Sequence, residues 1–299
     1  MKRVLVTGAT GFIGRHVIAP LVQRGFEVHA VGQTDLADCV MHRCDLLDHA
    51  ATTQLVRGIS PSHLLHLAWY VKPGRYWTAT ENLDWVAASL NLYRSFTQAG
   101  GHRFVGAGTC AEYDWRFSKL KEGDTPYRPD TLYGMAKDTT RRLLDTSARL
   151  EGVSFGWGHV FFLYGPGEAR ARLVSDVVIG CLRGEPVPTT AGTQIRDFMH
   201  VQDIASAFAA LLDSDVRGAV NIASGEPQPL RTLITAVAEA AGRPDLPHFG
   251  ARPIAANDPP CLAADVTRLR DEVGFRPVYR LEDGVAATVD WWRGQTPTL

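Results

Sequence analysis

A short apolar strand that runs straight into spaced glycines and then into a helical stripe leaves few folds open to a chain. Here Val4-Leu5-Val6 leads into Gly8-Ala9-Thr10-Gly11-Phe12-Ile13-Gly14, and Ile13, Val17, Ile18, Leu21 and Val22 follow on one side of a helix. Glycines at such a turn let the backbone approach a pyrophosphate, and the helix N-terminus behind them attracts its charge. The spacing is G-x-x-G-x-x-G, where the common pattern is G-x-G-x-x-G. Its position between strand and helix makes this a dinucleotide-binding opening, with Gly8, Gly11, Phe12, Ile13 and Gly14 as candidate cofactor contacts.

Strand and helix then alternate. Strands are expected at 27–31, at a third segment closing with Asp45-Leu46-Leu47-Asp48, at 62–67 ending on Ala68, at 103–107 and at 153–163. Asp48 suits the N-cap of the helix that follows. A long amphipathic helix over 80–99 carries Leu83, Val86, Leu90 and Tyr93, 114–128 reads as loop, and a further helix runs from Tyr133 to about Leu150. This alternation predicts the α/β class with a doubly wound parallel sheet. After Tyr164-Gly165-Pro166-Gly167 the rhythm changes, with helices at 173–182, 202–212, 230–241 and 281–292 and short strands within 187–201 and at 220–222. The expected division is a dinucleotide-binding domain over 1–165, completed by roughly 200–224, and a smaller, interleaved C-terminal α/β lobe in most of 166–299.

Charge excludes some partners. A net charge of −1 with 21% charged residues offers no basic excess for nucleic acid or an anionic membrane. Cys39, Cys44, Cys110, Cys181 and Cys261 are scattered and form no C-x-x-C pair, which argues against a disulfide framework or a zinc site and for a reducing cytoplasm. The basic start, Met1-Lys2-Arg3, is followed by an apolar run too short for a signal peptide. His63 and His66 fall on opposite faces of an extended segment, so a metal pair is not expected.

Two constellations carry chemistry. Tyr133 and Lys137 stand four apart on one helix face, where an ammonium beside a phenol favours the phenolate. Thr109, delivered to the sheet's carboxyl edge, offers a hydroxyl to the same substrate oxygen. Together they suit the interconversion of alcohol and ketone. The second strand ends at Gly32-Gln33-Thr34, without the carboxylate that would bond the ribose hydroxyls of NAD and repel the extra phosphate of NADP. Arg15 and Arg43 supply positive charge nearby, which favours NADP(H) over NAD(H). The aromatic stretch 69–77 lies at a strand's carboxyl end, where ligands sit in open α/β sheets.

With Gly8, Gly11, Gly14, Thr109, Tyr133 and Lys137 in this order, the chain resembles an extended short-chain dehydrogenase/reductase, and within it the nucleotide-sugar epimerase, dehydratase and ketoreductase group. Further matches are His66-Leu67-Ala68, Asn82, Tyr164-Gly165-Pro166-Gly167, the run from Arg196 to Asp203 and Asn221-Ile222-Ala223-Ser224-Gly225. The resemblance spans the chain. It implies a nicotinamide cofactor held by the N-terminal part, with Asp45, Leu46, Leu67 and Ala68 among its contacts, and a nucleotide-diphosphate sugar in the C-terminal lobe. Arg196 matches the family's diphosphate-binding arginine, Arg252 is a second candidate, and Trp69, Glu112 and Phe162 are candidate sugar contacts, Phe162 standing where many relatives have Asn. The family's dehydratases carry Asp-Glu after the catalytic Thr; here Cys110 and Ala111 stand there, and Cys110 is expected to be inert. The resemblance thus implies NADP(H)-dependent reduction of a 4-keto, 6-deoxy nucleotide sugar. A 4-epimerase with retained cofactor is the alternative, and a non-catalytic nucleotide sensor a third. It also implies a homodimer through the helices over 80–99 and 132–150.

Overall fold

The computed structural model describes residues 2–295, so Met1 of the basic start lies outside the described residues. In chain order the first part runs β1 (Lys2–Thr7), α1 (Gly14–Gln23), β2 (Phe26–Val31), β3 (Val40–His42), α2 (His49–Ile59), β4 (His63–His66), α3 (Glu81–Gln98), β5 (Arg103–Thr109), β6 (Lys119–Leu120), α4 (Leu132–Glu151), β7 (Ser154–Val160) and β8 (Phe162–Tyr164). The remainder is α5 (Leu173–Arg183), β9 (Val187–Pro188), β10 (Ile195–Arg196), β11 (Phe198–His200), α6 (Val201–Asp213), β12 (Gly218–Ile222), β13 (Gln228–Pro229), α7 (Leu230–Ala240), β14 (Pro247–His248), β15 (Cys261–Ala264) and α8 (Leu281–Gly294).

Seven strands form one parallel sheet in the order β12-β7-β5-β4-β1-β2-β3. The strand order reverses between β1 and β4, and it is at such a switch point that α/β sheets open a crevice for ligands. Both faces are buried, so the strands read as near-continuous apolar runs. Val4 and Val6 pack with α1 and α6 on one face, while Leu5 packs with Leu64, Phe104 and Trp157 beneath α3 and α4 on the other. Asp48 caps α2 through the amides of Ala50 and Ala51, and Thr131 caps α4 through that of Gly134. Val22, placed by helical spacing on the inner side of α1, is 40% exposed because the stripe that reaches the core is narrower than the periodic pattern.

A second core lies between α5, α7 and α8, with Val178, Val237 and Val289 at its centre. The two parts are stitched together by a four-stranded sheet, β13-β10-β15-β6, in which β6 pairs with β15 across a long stretch of sequence.

Three expectations shift. The third strand is Val40–His42, earlier than expected, because Gly32 and His42 are joined by a backbone bond and Asp45 to Asp48 form the turn that starts α2. The segment 153–163 is two strands: β7 stays in the main sheet, and the chain leaves it at Phe161 so that β8 pairs with β11 instead. The stretch 114–128 is not all loop, since it holds β6 and Tyr127, which bridges back to Tyr113 just before it. No helix among the described residues is long and apolar enough to cross a membrane, and the five cysteines are free thiols.

Candidate active site

The rim of the cleft is made of backbone. Gly8 adopts φ +69°, and a Cβ there would lie 2.7 Å from the Ala68 nitrogen, so only glycine lets β1 and β4 meet at the switch point. A Cβ on Gly14 would fall 2.1 Å from the Gly8 oxygen, and the Gly11 amide donates to that same oxygen at 2.9 Å. The helix behind has no acidic residue in its first turn and no side-chain cap, which leaves its N-terminal field open to an anion. A turn this close-packed fits a dinucleotide pyrophosphate. Phe12 and Ile13 lie in it, Gly32 abuts Thr10 at the end of β2, and the Leu67 amide bonds the Thr7 oxygen. Arg15 folds over the turn onto the Gly11 and Thr10 oxygens at 3.2 and 3.0 Å. Arg43 donates to the Gly32 oxygen at 3.2 Å and to Asp35 at 2.7 Å. Asp45 accepts the Leu47 amide at 3.0 Å, with Leu46 buried beside it.

The floor is made of side chains. Tyr133 and Lys137 project from α4 onto the end of β5, where they are 8% and 3% exposed; Thr109 beside them is 9% exposed. Lys137 Nζ donates to the Ala107 oxygen at 2.7 Å and sits 3.9 Å over the Trp69 ring. Burial pushes Lys137 down to about 7, against the opposing charge of Glu112. Tyr133 is raised, first by burial and then by the neighbouring Tyr76, with a hydrogen bond from Thr109 acting the other way. The expected phenolate is therefore corrected: the ammonium is turned to Ala107 and Trp69, and the phenol keeps its proton. Cys110 is buried and its thiol pushed up to about 12 by that burial, which leaves it unreactive.

Glu112 does not stand where a sugar could reach it. Its carboxylate is 0% exposed. Oε1 accepts the Thr109 amide at 2.9 Å and the Trp157 indole N–H at 3.1 Å; Oε2 lies 3.1 Å from His159 Nε2. Arg141 Nε is 3.4 Å away, an ion-pair distance without hydrogen-bond geometry. Burial alone would raise this carboxyl, but His159, Trp157 and Arg141 outweigh it and hold it below its ordinary value. Gly106 and Gly108 make the room: a Cβ on Gly108 would lie 2.1 Å from the Trp157 nitrogen and 2.5 Å from Glu112 Oε1.

The aromatic stretch forms a wall over the phenol. The Tyr76 and Trp77 rings meet that of Tyr133 edge-on at 4.9 and 5.7 Å, and the Tyr133 amide bonds the Trp77 oxygen. Arg172, from the segment leading into α5, reaches back over Tyr76 and lies 3.5 Å from its hydroxyl. Trp69, expected to touch substrate, is turned inward instead, its N–H bound to Asn82 and its ring carrying Lys137. Tyr76 and Arg172 escaped the sequence reading because their partners are remote in the chain. Arg141 carried a signal: it lies one further turn along the face of Tyr133 and Lys137.

Arg196, 4% exposed, donates to Asp258 and to the Pro259 oxygen, with its guanidinium carbon 5.5 Å from the centre of the Phe162 ring. Its charge is felt at Cys110, next to Thr109. The neighbouring Asp197 points elsewhere, accepting from Ser224 and Gly225. Arg252 is exposed, and its amide bonds the Thr189 oxygen. His63 and His66 are buried, and no group of three or more His, Cys, Asp or Glu among the described residues could hold a metal.

Comparison with known proteins bears on this geometry. The model of the NAD dependent epimerase/dehydratase family matches residues 4–223. A dTDP-glucose 4,6-dehydratase of Xanthomonas campestris pv. campestris is 26% identical over 98% of this chain and 93% of its own length. A dTDP-4-dehydro-6-deoxy-D-allose reductase of Streptomyces bikiniensis is 27% identical over 99% of this chain and 97% of its own. Among solved structures, the UDP-glucose 4-epimerase of Thermus thermophilus in complex with NAD is 28% identical, with a TM-score of 0.83 over 98% of this chain and 99% of that one.

Proposed function

Because the chain belongs to the NAD dependent epimerase/dehydratase family, we propose that it reduces the 4-keto group of a nucleotide-diphosphate sugar, probed first with 6-deoxy sugars, using NADP(H). The observation that carries this reading is the pair after Thr109. Elimination of a hydroxyl needs an acid and a base. Cys110, its thiol pushed up to about 12, and the methyl of Ala111 supply neither. What remains is chemistry between alcohol and ketone.

The residues of the floor suit reduction. Bound NADPH would supply the hydride. Tyr133, held protonated, gives its proton to the ketone oxygen, and the Thr109 hydroxyl fixes that oxygen. Lys137, turned to Ala107 and Trp69, orders the dinucleotide ribose. Arg196 and Arg252 take the diphosphate; Arg196 exchanges Asp258 for phosphate oxygens, which its planar fork fits equally well. The absence of a carboxylate at Gly32 and the guanidinium of Arg43 against its oxygen support NADP(H). Exposed Leu83, Met135 and Leu143 on α3 and α4 support a homodimer through those helices.

The test is to mix the protein with NADPH and a panel of 4-keto nucleotide sugars, with and without the 6-hydroxyl. Oxidation of the coenzyme is expected with at least one, and no oxidation with any overturns the reading. A 4-epimerase is the second reading, favoured by the likeness to the Thermus enzyme with NAD. It would turn over without added coenzyme and carry a dinucleotide through purification.

A further inference from the structure

Glu112 is a buried carboxylate that a reductase or an epimerase of this design has no evident chemical use for, since it is sealed from the cleft. It is nonetheless fully engaged. Thr109 and Glu112 form a reciprocal cap: the Thr109 hydroxyl accepts the Ala111 amide and Glu112 accepts the Thr109 amide, which fixes the corner where β5 ends. On the other side the Trp157 indole lies between two charges, its N–H on Glu112 at 3.1 Å and its ring system 5.8 Å from Lys137 Nζ. The His159 ring joins Glu112 to Tyr113, whose hydroxyl donates to Asn221 at 2.8 Å. A carboxylate so enclosed is costly unless its charge and bonds are used.

We propose that Glu112 is a positioning residue: it fixes Thr109 at the end of β5 and lends Lys137 the negative field under which it works. This rests on the reading of Thr109, Tyr133 and Lys137 as the reacting set. Lys137 is faced by Glu112 from the turn after β5, by His66 from β4 and by Tyr133 from its own helix. Of these Glu112 is the group that opposes the effect of burial on Lys137. Glu112 in turn faces His159 on β7, Arg141 on α4, and Tyr113, Tyr127, Cys110 and Tyr133.

The decisive measurement needs no substrate. Burial pushes Lys137 down to about 7 against an ordinary 10.5, so the unfolded chain binds more protons at this residue between those values and Lys137 contributes a rise of stability with pH, opposed by Glu168, pushed up to about 8, at the lower end and by Cys110, pushed up to about 12, at the upper. In thermal melts of the full chain across that range, the difference between wild type and Lys137→Met isolates this contribution, and the same difference taken in the Glu112→Gln background is expected to begin at lower pH. A difference curve that begins at the same pH in both backgrounds, or no difference between wild type and Lys137→Met, overturns the proposal. In turnover assays Glu112→Gln, whose amide oxygen still accepts the Thr109 N–H but carries no charge, is expected to lower kcat about tenfold with the sugar KM unchanged, the difference between a charge-assisted and a neutral hydrogen bond. Glu112→Asp, which keeps the charge but withdraws it from the Thr109 amide, restores the pH curve and not kcat; it also serves if the Gln variant does not fold. A wild-type kcat in Glu112→Asp overturns the anchoring role. If wild type turns over no 4-keto sugar, the reductase reading fails while the melts still decide the place of Glu112.

Discussion

At the rim, Gly8 is held at φ +69° and Gly14 packs where a Cβ would strike the Gly8 oxygen at 2.1 Å. At the floor, Gly106 and Gly108 are ordinary extended residues of β5 with no positive φ, yet a Cβ on either would meet the Trp157 indole within 2.3 Å. The first pair is glycine for the path of the chain, the second for the volume of its neighbours. The rim therefore offers backbone amides and a helix field, and the floor buried side chains for which the strand has made space. Under the proposed function, binding and chemistry would fall to different material, with Lys137 the one residue that serves both.

The strongest challenge to that separation is Tyr133→Phe. It should lower kcat about a thousandfold, the scale of a lost general acid, and leave NADPH affinity by fluorescence titration unchanged; a parallel loss of affinity would merge the two regions. Gly14→Ala should do the reverse. Strain of about 2 kcal/mol at the turn corresponds to on the order of thirtyfold weaker dinucleotide binding, with kcat at saturating coenzyme near wild type. Gly108→Ala tests the floor as packing. Overfilling of a dense core costs about 2 kcal/mol, read as a lower denaturation midpoint in urea, with the affinity of the folded fraction for NADPH retained. The smallest effect is expected for Arg43→Ala, an exposed charge whose contribution of up to about 1 kcal/mol should narrow the preference for NADPH over NADH by roughly fivefold without touching kcat.

The rim was legible in the sequence because its determinants are local. A strand, three glycines and a helical stripe lie within a score of consecutive residues, and their spacing encodes the turn. Tyr133 and Lys137 were legible for the same reason, being one helical turn apart. Glu112 was singled out from its nearness to Thr109 but given a wrong partner, since whether a residue just past a strand faces the cleft or the interior depends on Trp157 and His159 of β7, more than forty positions later. Trp69 was misassigned in the same way: its inward turn depends on Asn82 and Lys137. The third strand slipped because β3 is short, and its place is set by pairing with β2, which no periodicity announces.

The wall of Tyr76 and Trp77 leaves Tyr133 8% exposed, and the arginine that leans on it comes from the segment leading into the second lobe. Those rings cover the edge of the phenol. Any displacement of those rings is therefore felt by the segment that leads into α5, so the phenol's cover is tied to both halves of the molecule.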